Sequence, residues 1–460
     1  MSVRRGSRRR GGAGRRRGRS VRRPRGHRPA AAPPPAYRHP LVSAMCELLG
    51  GVLPAGGVRR WAPLPLCLCA VLMAWDAAPT LGERFESARQ SLRAMFPRAK
   101  LGRTYQGLAK ALARTGLHKA LPPRLREQTL ARSGRHALRE GWRAFAADGS
   151  RFDCPRTAAN KKAFGRGGRR GSGPQMYLTA LWHMGSGLPF AWRVGRASSG
   201  ERTHLRRMVK LLPPGALLVM DAGFVGHGLL SKVVGSGRHV LLRVGSNASL
   251  LTCLGTGLGP ARREGPDVVY LWPRRGPRGT PLALRLIRVA VPNKPAVWLL
   301  TDVADRRRMS DRRAARLYAM RWGVEVFFRS LKQKLQRRKV CSASPGRARV
   351  ELHWAVLGLW AAGLMAVDVV VKAGRDPLSW SAAAVVRLLR GAARRGPAAR
   401  ALRAELAGAV KDRYHRRGGK RARRWPHKKR DQPPGAPRLR AATPREVLLA
   451  RELYDAKRAA

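Results

Sequence analysis

Acidic residues are scarce in this chain. Its 460 residues include 25 Asp and Glu against 95 Lys and Arg, for a formal charge of +70. That balance excludes a cationic partner and points to a polyanion, with nucleic acid the first candidate. Part of the excess is compositional, because Arg, Ala, Gly and Pro are abundant even in loops, as GC-rich coding would make them. Cysteine is equally sparse. Cys46, Cys67, Cys69, Cys154, Cys253 and Cys341 form no C-x-x-C pair, and no His clusters with them. A zinc site and a disulfide framework are thereby excluded, and a reducing cytoplasm fits. Long apolar runs number two. Residues 61–75, WAPLPLCLCAVLMAW, resemble a signal-peptide core but are too short to span a bilayer and lie far from residue 1, so a short buried helix is expected. Residues 351–372 are long enough to span, but Glu351, His353 and Asp368 argue for a helix buried against a sheet. No membrane association is expected.

Residues 1–40 carry fourteen Arg and no acid. They cannot build a core and read as a disordered arm, taken to residue 44. The arm either binds nucleic acid or is an upstream translation artefact, with the start at Met45. Residues 45–140 read as helical and basic, with helices in LGERFESARQSLRAMF, YQGLAKALARTG and PRLREQTLARSGRHALREGW. They are either a DNA-binding module or a packing extension. Residues 142–243 alternate strands and helices. WRAFAAD ends in Asp148, MYLTALWHM and LPFAWRV make a hairpin across GSG, GERTHLRRMVKLL is a helix, and ALLVMD is a strand ending in Asp221. Residues 245–298 break that pattern with short candidate strands, read as a β-rich insertion from which VWLLTDV returns to the main sheet. Residues 376–460 form a basic C-terminal region. They close on a helix, TPREVLLARELYDAK, with Thr443 as N-cap and Glu446 at N3.

The chemistry concentrates in YAMRWGVEVFFRSLK. On a helical wheel Tyr318, Arg321, Glu325 and Lys332 fall within an arc of roughly 60°, beside an apolar stripe of Val324, Phe327, Phe328, Leu331 and Leu335. A carboxylate, a guanidinium and an ammonium on one face suit phosphate and Mg²⁺. An amphipathic surface helix with an Arg–Glu pair explains the same residues. Asp148 and Asp221, each placed at a strand end, tip the balance. With Glu325 they form a set able to hold two Mg²⁺ ions about 4 Å apart for phosphoryl transfer. A turn-forming role explains either Asp alone. Asp302 is a rival, and Asp153, Glu201 and Glu351 are weaker ones.

Three motifs then carry a resemblance: Asp148-Gly149-Ser150, Asp221-Ala222-Gly223-Phe224, and Tyr318-x2-Arg321-x3-Glu325-x6-Lys332 with Trp322 beside the Arg. In that order and spacing the sequence resembles the DDE transposases of the insertion sequence 4 family, over about residues 140–375. The resemblance implies an α/β, RNase H-like mixed sheet flanked by helices over 141–375, with 245–298 as its β-rich insertion between the second Asp and the Glu. It implies Asp148, Asp221 and Glu325 as the catalytic, metal-holding triad for Mg²⁺, two ions, with Mn²⁺ as a substitute. Tyr318, Arg321, Lys332, Trp322, Asn160 and Lys161 are expected at the DNA. Trp322 is read either as stacking on a distorted base or as packed beside the catalytic helix. Glu201 and Arg202 look family-like, without an assigned role. The implied protein cleaves element ends at terminal inverted repeats and joins them to target DNA, as a homodimer on DNA, in the cytoplasm with the nucleoid. The alternatives are a nuclease of the same fold that does not join, or an inactive basic DNA-binding copy.

Overall fold

The computed structural model describes residues 39–53, 61–167, 173–254, 267–273, 279–411 and 435–459. The expected Arg-rich arm thus falls outside the described residues up to position 38, as does the basic stretch 412–434. The arm does not reach residue 44. Helix α1, Pro40–Leu49, already begins there, capped by His39, and buries Leu41, Val42, Met45, Leu48 and Leu49. Those side chains recur at helical spacing, so the segment has apolar surface to bury where the arm has none.

Helix α2, Pro63–Trp75, is buried from Leu64 to Trp75, as expected for a short buried apolar helix. Three helices follow as anticipated: α3, Leu81–Met95, opened by a Thr80/Glu83 capping box; α4, Tyr105–Thr115; and α5, Leu117–Arg132. The last starts ahead of the expected segment, takes Pro122 and Pro123 into its body and stops at Arg132; the rest of the expected helix is a 3₁₀ turn, Gly134–Ala137, and an Arg139–Trp142 bridge.

Among the described residues, a ten-stranded mixed sheet forms the centre. In chain order come β1, Ala144–Asp153; the short helix α6, Ala158–Phe164; β2, Gln175–His183; β3, Leu188–Arg196; helix α7, Glu201–Met208; β4, Leu217–Met220; helix α8, His227–Val234; and β5, His239–Val244. β2 and β3 are the expected hairpin, antiparallel with Met176 opposite Arg196. Four more strands follow: β6, Ser249–Thr252; β7, Val268–Leu271; β8, Leu282–Val291; and β9, Lys294–Thr301. They continue the same sheet, and β9 returns antiparallel to β5 with Leu242 opposite Leu300. Next are α9, Asp311–Met320; α10, Trp322–Arg329; α11, Pro345–Lys372; α12, Ala382–Arg395; and α13, Ala399–Gly408. Strand β10, Arg438–Ala441, closes the order β10-β6-β7-β8-β9-β5-β4-β1-β2-β3, and α14, Pro444–Ala459, ends the chain.

The final helix has the expected Thr443 cap, with the Thr443 N–H and the Glu446 carboxylate 3.0 Å apart. Its docking site is the far end of the sheet. Ala450 packs with Leu254, Tyr270 and Trp272, and the Tyr454 hydroxyl donates to the Pro281 carbonyl.

Helix α11 is long and apolar enough to cross a membrane, but 83% of its most apolar window is buried inside the protein. It packs on α2, α5 and β3. The Trp75 indole donates to Gly358 O at 2.8 Å, and a Cβ on Gly358 would stand 2.6 Å from that of Ala74. A glycine is therefore required where α2 crosses α11.

Arg337, 2% exposed, fastens this helical layer to the stretch leaving α10. Its guanidinium donates to the carbonyls of Met73 (2.9 Å), Ala74 (3.2 Å) and Asp76 (2.9 Å), the orphan acceptors at the C-terminus of α2, and to Leu335. Replacing it leaves buried carbonyls unpartnered. Arg337→Leu is expected to cost about 3 kcal/mol in a urea melt. A loss below about 1 kcal/mol would mean that neighbours or water take over those acceptors.

Candidate active site

The parallel pair β1–β4 sets the geometry. Ala144, Phe145 and Ala146 stand opposite Leu217, Leu218 and Val219. Carried two residues further, the same register brings Asp148 level with Asp221, just past the end of β4. The expectation that Asp148 closes its strand needs correction. β1 runs on to Asp153, paired with β2 along its length, with Asp148 opposite Ala180, and bridged at its last residue to Lys339. What ends at this point is the pairing with β4, and that opens space on one side of the Asp148 carboxylate. Asp221 does leave its strand: it caps a short 3₁₀ turn through Phe224, accepting from the Ala222 N–H at 2.8 Å.

The motif neighbours have local causes. A Cβ on Gly149 would lie 2.2 Å from the Tyr177 hydroxyl, so only glycine fits against that ring. Ser150 Oγ lies 2.7 Å from Lys332 Nζ. Phe224 is buried in the main core with Leu218, Leu230 and Leu242. The Gly223 carbonyl accepts from Arg202 Nε at 3.0 Å, which ties α7 to the turn.

The helix over 318–332 is not continuous. α9 ends at Met320, α10 starts at Trp322 after a turn at Arg321, and residues 330–334 form a π-turn closed by the Leu335 N–H on Ser330 O at 3.0 Å. Gly323 sits where any Cβ would strike Trp182, at 2.0 Å, so the chain is pressed against β2 here. π-turns within helices occur frequently at functional sites. The four residues still face one region. The Tyr318 hydroxyl donates to Asp221 Oδ1 at 3.2 Å. Arg321 Nη2 donates to Glu325 Oε1 at 2.8 Å and lies 3.9 Å from Asp221 Oδ2. The Arg321 side chain, 8% exposed, thus stands between two carboxylates, its guanidinium 5.6 Å from the Tyr318 ring centroid. Lys332 reaches β1, and its ammonium also lies 5.2 Å from the Phe152 ring centroid.

The charges are strained against one another. Burial pushes the Asp148 carboxyl up to about 6; the Gly149 N–H and Arg321 oppose this, and Glu325 and Asp221 add to it. Burial also pushes Glu201 up to about 7, with Asp148 and Asp221 adding to the shift. Glu201, one of the weaker rivals in the sequence, thus lies within reach of the charges of both aspartates. Burial lifts the Tyr318 phenol to about 12, reinforced by Asp221. For Arg321 burial acts downward, but Tyr318, Asp221 and Glu325 outweigh it and hold the guanidinium firmly charged.

Three of the four rival carboxylates are engaged elsewhere, all but Glu201. Asp302 binds the His239 ring at 2.8 Å and the Val240 N–H at 2.7 Å. Glu351 accepts from the Cys341 and Ser342 N–H groups and the Ser342 hydroxyl. Asp153 accepts from Gln175 at 2.7 Å. Asn160 differs from expectation: it is fully buried, and its amide donates to Pro155 O and Ser342 O. It holds a loop and offers nothing to a DNA strand, whereas Lys161 on the same helix is exposed. Trp322 is 53% exposed, with the Arg329 guanidinium 5.9 Å from its ring centroid, so it is not packed away beside the helix.

The donor set suits a hard divalent cation: carboxylate oxygens, no thiolate and no imidazole. Among the described residues no three acidic, His or Cys side chains converge tightly enough to enclose an ion. Arg321 takes that central place, a cation standing where positive charge is wanted.

Residues 140–360 match the family described as "Transposase DDE domain". Over 226 residues the chain is 29% identical to the transposase InsG for insertion sequence element IS4 of Escherichia coli (strain K12). That match covers 47% of this chain and 50% of the relative, so it spans about half the relative's length. Among solved structures, the piggyBac transposase synaptic complex with hairpin DNA shares a TM-score of 0.36 and 11% identity over 82% of each chain, a likeness too slight to carry an argument.

The raised Asp148 pKa has a sign that can be checked. An acid whose folded pKa lies above its unfolded value binds more protons when folded, so stability falls as pH climbs from about 4 to about 6. Asp148→Asn removes that penalty. It should stabilise the protein at pH 8 by on the order of 1–2 kcal/mol after solvent screening. The gain should vanish near pH 4, read from thermal melts at both values. An equal gain at both would mean that the carboxylate's charge is not the source.

Proposed function

On the premise that residues 140–360 are a transposase DDE domain of the insertion sequence 4 kind, we propose that the protein cleaves DNA at the ends of a mobile element and joins the freed 3′-hydroxyls to target DNA. The observation that carries this reading is the convergence on Arg321 of Glu325 and Asp221, with Asp148 near enough to feel all three charges. The mixed sheet supports an RNase H-like fold, with β6–β8 as its β-rich insertion. Asp148, Asp221 and Glu325 would hold Mg²⁺, or Mn²⁺ in its place. Divalent ions held by these carboxylates would supply activation of the attacking oxygen and stabilisation of the leaving oxygen in a phosphoryl transfer.

The protein's own residues set the stage for that displacement. Tyr318 holds Asp221 by its hydroxyl and so orients the carboxylate. Arg321 keeps the acidic cluster intact before DNA arrives, and its fork geometry suits a phosphate once a carboxylate releases it. Lys332, held at Ser150, brings a point charge to the strand that carries Asp148. The exposed Trp322 ring is placed to stack on an unpaired base, and Lys161 to meet a phosphate. The helical region 45–140 and the basic region 376–460 supply further grip on the duplex. Joining two ends requires two such sites, hence a homodimer on DNA, acting at the nucleoid in the cytoplasm.

The test uses DNA carrying the element's own end, in Mg²⁺, with wild type beside Asp148→Asn, Asp221→Asn and Glu325→Gln. Wild type should cleave it and should also join pre-cut ends to target DNA. Each variant should lose both activities by on the order of a hundredfold or more while still binding the end. Cleavage without joining would leave a nuclease. Wild-type cleavage by any one variant would remove that residue from the site.

A further inference from the structure

Between α2, α4, the start of α5 and the first turns of α11 lies a cavity of about 470 Å³ that shares no residue with the acidic centre. Small-ligand sites span roughly 300–1,000 Å³. The space exists because small side chains face it. Ala70 and Ala74 stand one turn apart on α2, and Ala109 and Ala113 one turn apart on α4.

Rings and unpartnered polar atoms set the chemistry of this space. Tyr105, His118, His353 and Trp354 line it, and the His118 and His353 ring centroids lie 5.1 Å apart with 34° between the planes. His118 is 8% exposed and Trp354 4%, yet His118 Nδ1 and the Trp354 indole N–H have no hydrogen-bond partner. Burial lowers both imidazoles, His353 to about 3. His353 Nδ1 accepts from the Trp192 indole at 2.8 Å, so its Nε2 carries the ring proton. Buried polar atoms without partners cost free energy that a matching ligand would offset. The mouth is cationic. Lys119, Arg347 and Arg349 are exposed lining residues, and among the described residues none of them forms an ion pair. Glu351, the lining acid, is already engaged by the Cys341 and Ser342 N–H groups and the Ser342 hydroxyl, with Arg84 at 3.8 Å. The Arg349 guanidinium lies 5.1 Å from the Phe164 ring centroid, so the mouth adjoins α6, the helix that carries Lys161.

We propose that this cavity binds a nucleotide, its base between the ring-lined wall and the alanine floor and its phosphate at Lys119, Arg347 and Arg349. Each part of the ligand answers a part of the cavity. A flat heteroaromatic base stacks on imidazole and indole faces, and it carries the acceptors and N–H donors that Trp354 and His118 lack. A phosphate suits two guanidiniums and an ammonium. An acyl chain would fill the floor and leave the polar atoms unmatched. A bare anion would meet the mouth and leave the floor empty. The nucleotide comes from solution or from an unpaired stretch of bound DNA, with the same chemistry in either case. Binding here does not depend on the metal-dependent reading of the acidic centre.

The experiment titrates the full chain calorimetrically with AMP, adenosine and inorganic phosphate. Wild type is compared with Trp354→Phe and with the double variant Arg347→Ala/Arg349→Ala, with thermal melts to verify folding. AMP is expected to bind at one site, roughly tenfold or more tighter than adenosine or phosphate alone. The double variant should lose about tenfold for AMP and little for adenosine. Trp354→Phe should lose about fivefold for both. Single-stranded DNA carrying 5-iodouracil separates the two sources. A photo-cross-link to α4 or α11 that the double variant abolishes identifies DNA as the source, and AMP binding without such a cross-link identifies a free nucleotide. Phosphate binding as tightly as AMP would reduce the site to an anion contact at the mouth and overturn the proposal. So would AMP affinity unchanged in both variants, or the absence of both AMP binding and the cross-link. Should Trp354→Phe not fold, the double variant, which alters exposed side chains alone, decides. Asp148→Asn should bind AMP as wild type does, so a failed cleavage assay leaves this test standing.

Discussion

One guanidinium holds the centre of this molecule together. Arg321 bonds Glu325 and lies within ion-pair distance of Asp221, while Asp148 and Glu201 crowd in from the sheet side. Without that cation, several partly exposed carboxylates would repel one another, softened by solvent but not cancelled. The site is thus stable only because it carries its own positive charge. A permanent and non-titrating group suits the task, since Arg stays protonated under any condition the fold survives.

The scaffold serves this cluster from two sides. From below, the end of the β1–β4 pairing sets two aspartates level and leaves their carboxylates a shared opening. From above, α9 and α10 deliver Tyr318, Arg321 and Glu325, with the turn at Arg321 aiming the guanidinium inward. Gly323 allows α10 to rest on Trp182, which fixes how closely the glutamate approaches the sheet. The helical layer is fastened to this arrangement by Arg337, a few residues past the π-turn, through the carbonyl end of α2. The same residue type is used twice, once to hold carboxylates for chemistry and once to hold carbonyls for stability.

Much of this was legible in the chain because acids are so rare in it. In a protein with few carboxylates, Asp148, Asp221 and Glu325 stand out, and the helical spacing of Tyr318, Arg321 and Glu325 places them on one face. The hairpin, the buried helix α2 and the Thr443 cap were likewise readable from local pattern and turn chemistry. What could not be read depends on distant partners. Nothing local announces that β1 continues past Asp148, because its extension is held by β2 and, at Asp153, by a bridge to distant Lys339. The buried role of Asn160 comes from carbonyls at positions 155 and 342. The proximity of Glu201 to the aspartates follows from the Arg202–Gly223 tie across α7. The wheel drawn through 318–332 assumed an unbroken helix, and the turn at Arg321 is set by packing against Trp182 rather than by propensity.

On the metal-dependent reading proposed above, Arg321 holds a place that divalent cations would share once DNA is bound. The most direct measurement is a crystal structure of the protein with its element end in Mn²⁺, read by anomalous scattering. Anomalous peaks should lie among Asp148, Asp221 and Glu325, with the Arg321–Glu325 contact opened. Peaks elsewhere, or none, with Arg321 still bonded to Glu325 and close to Asp221, would contradict it.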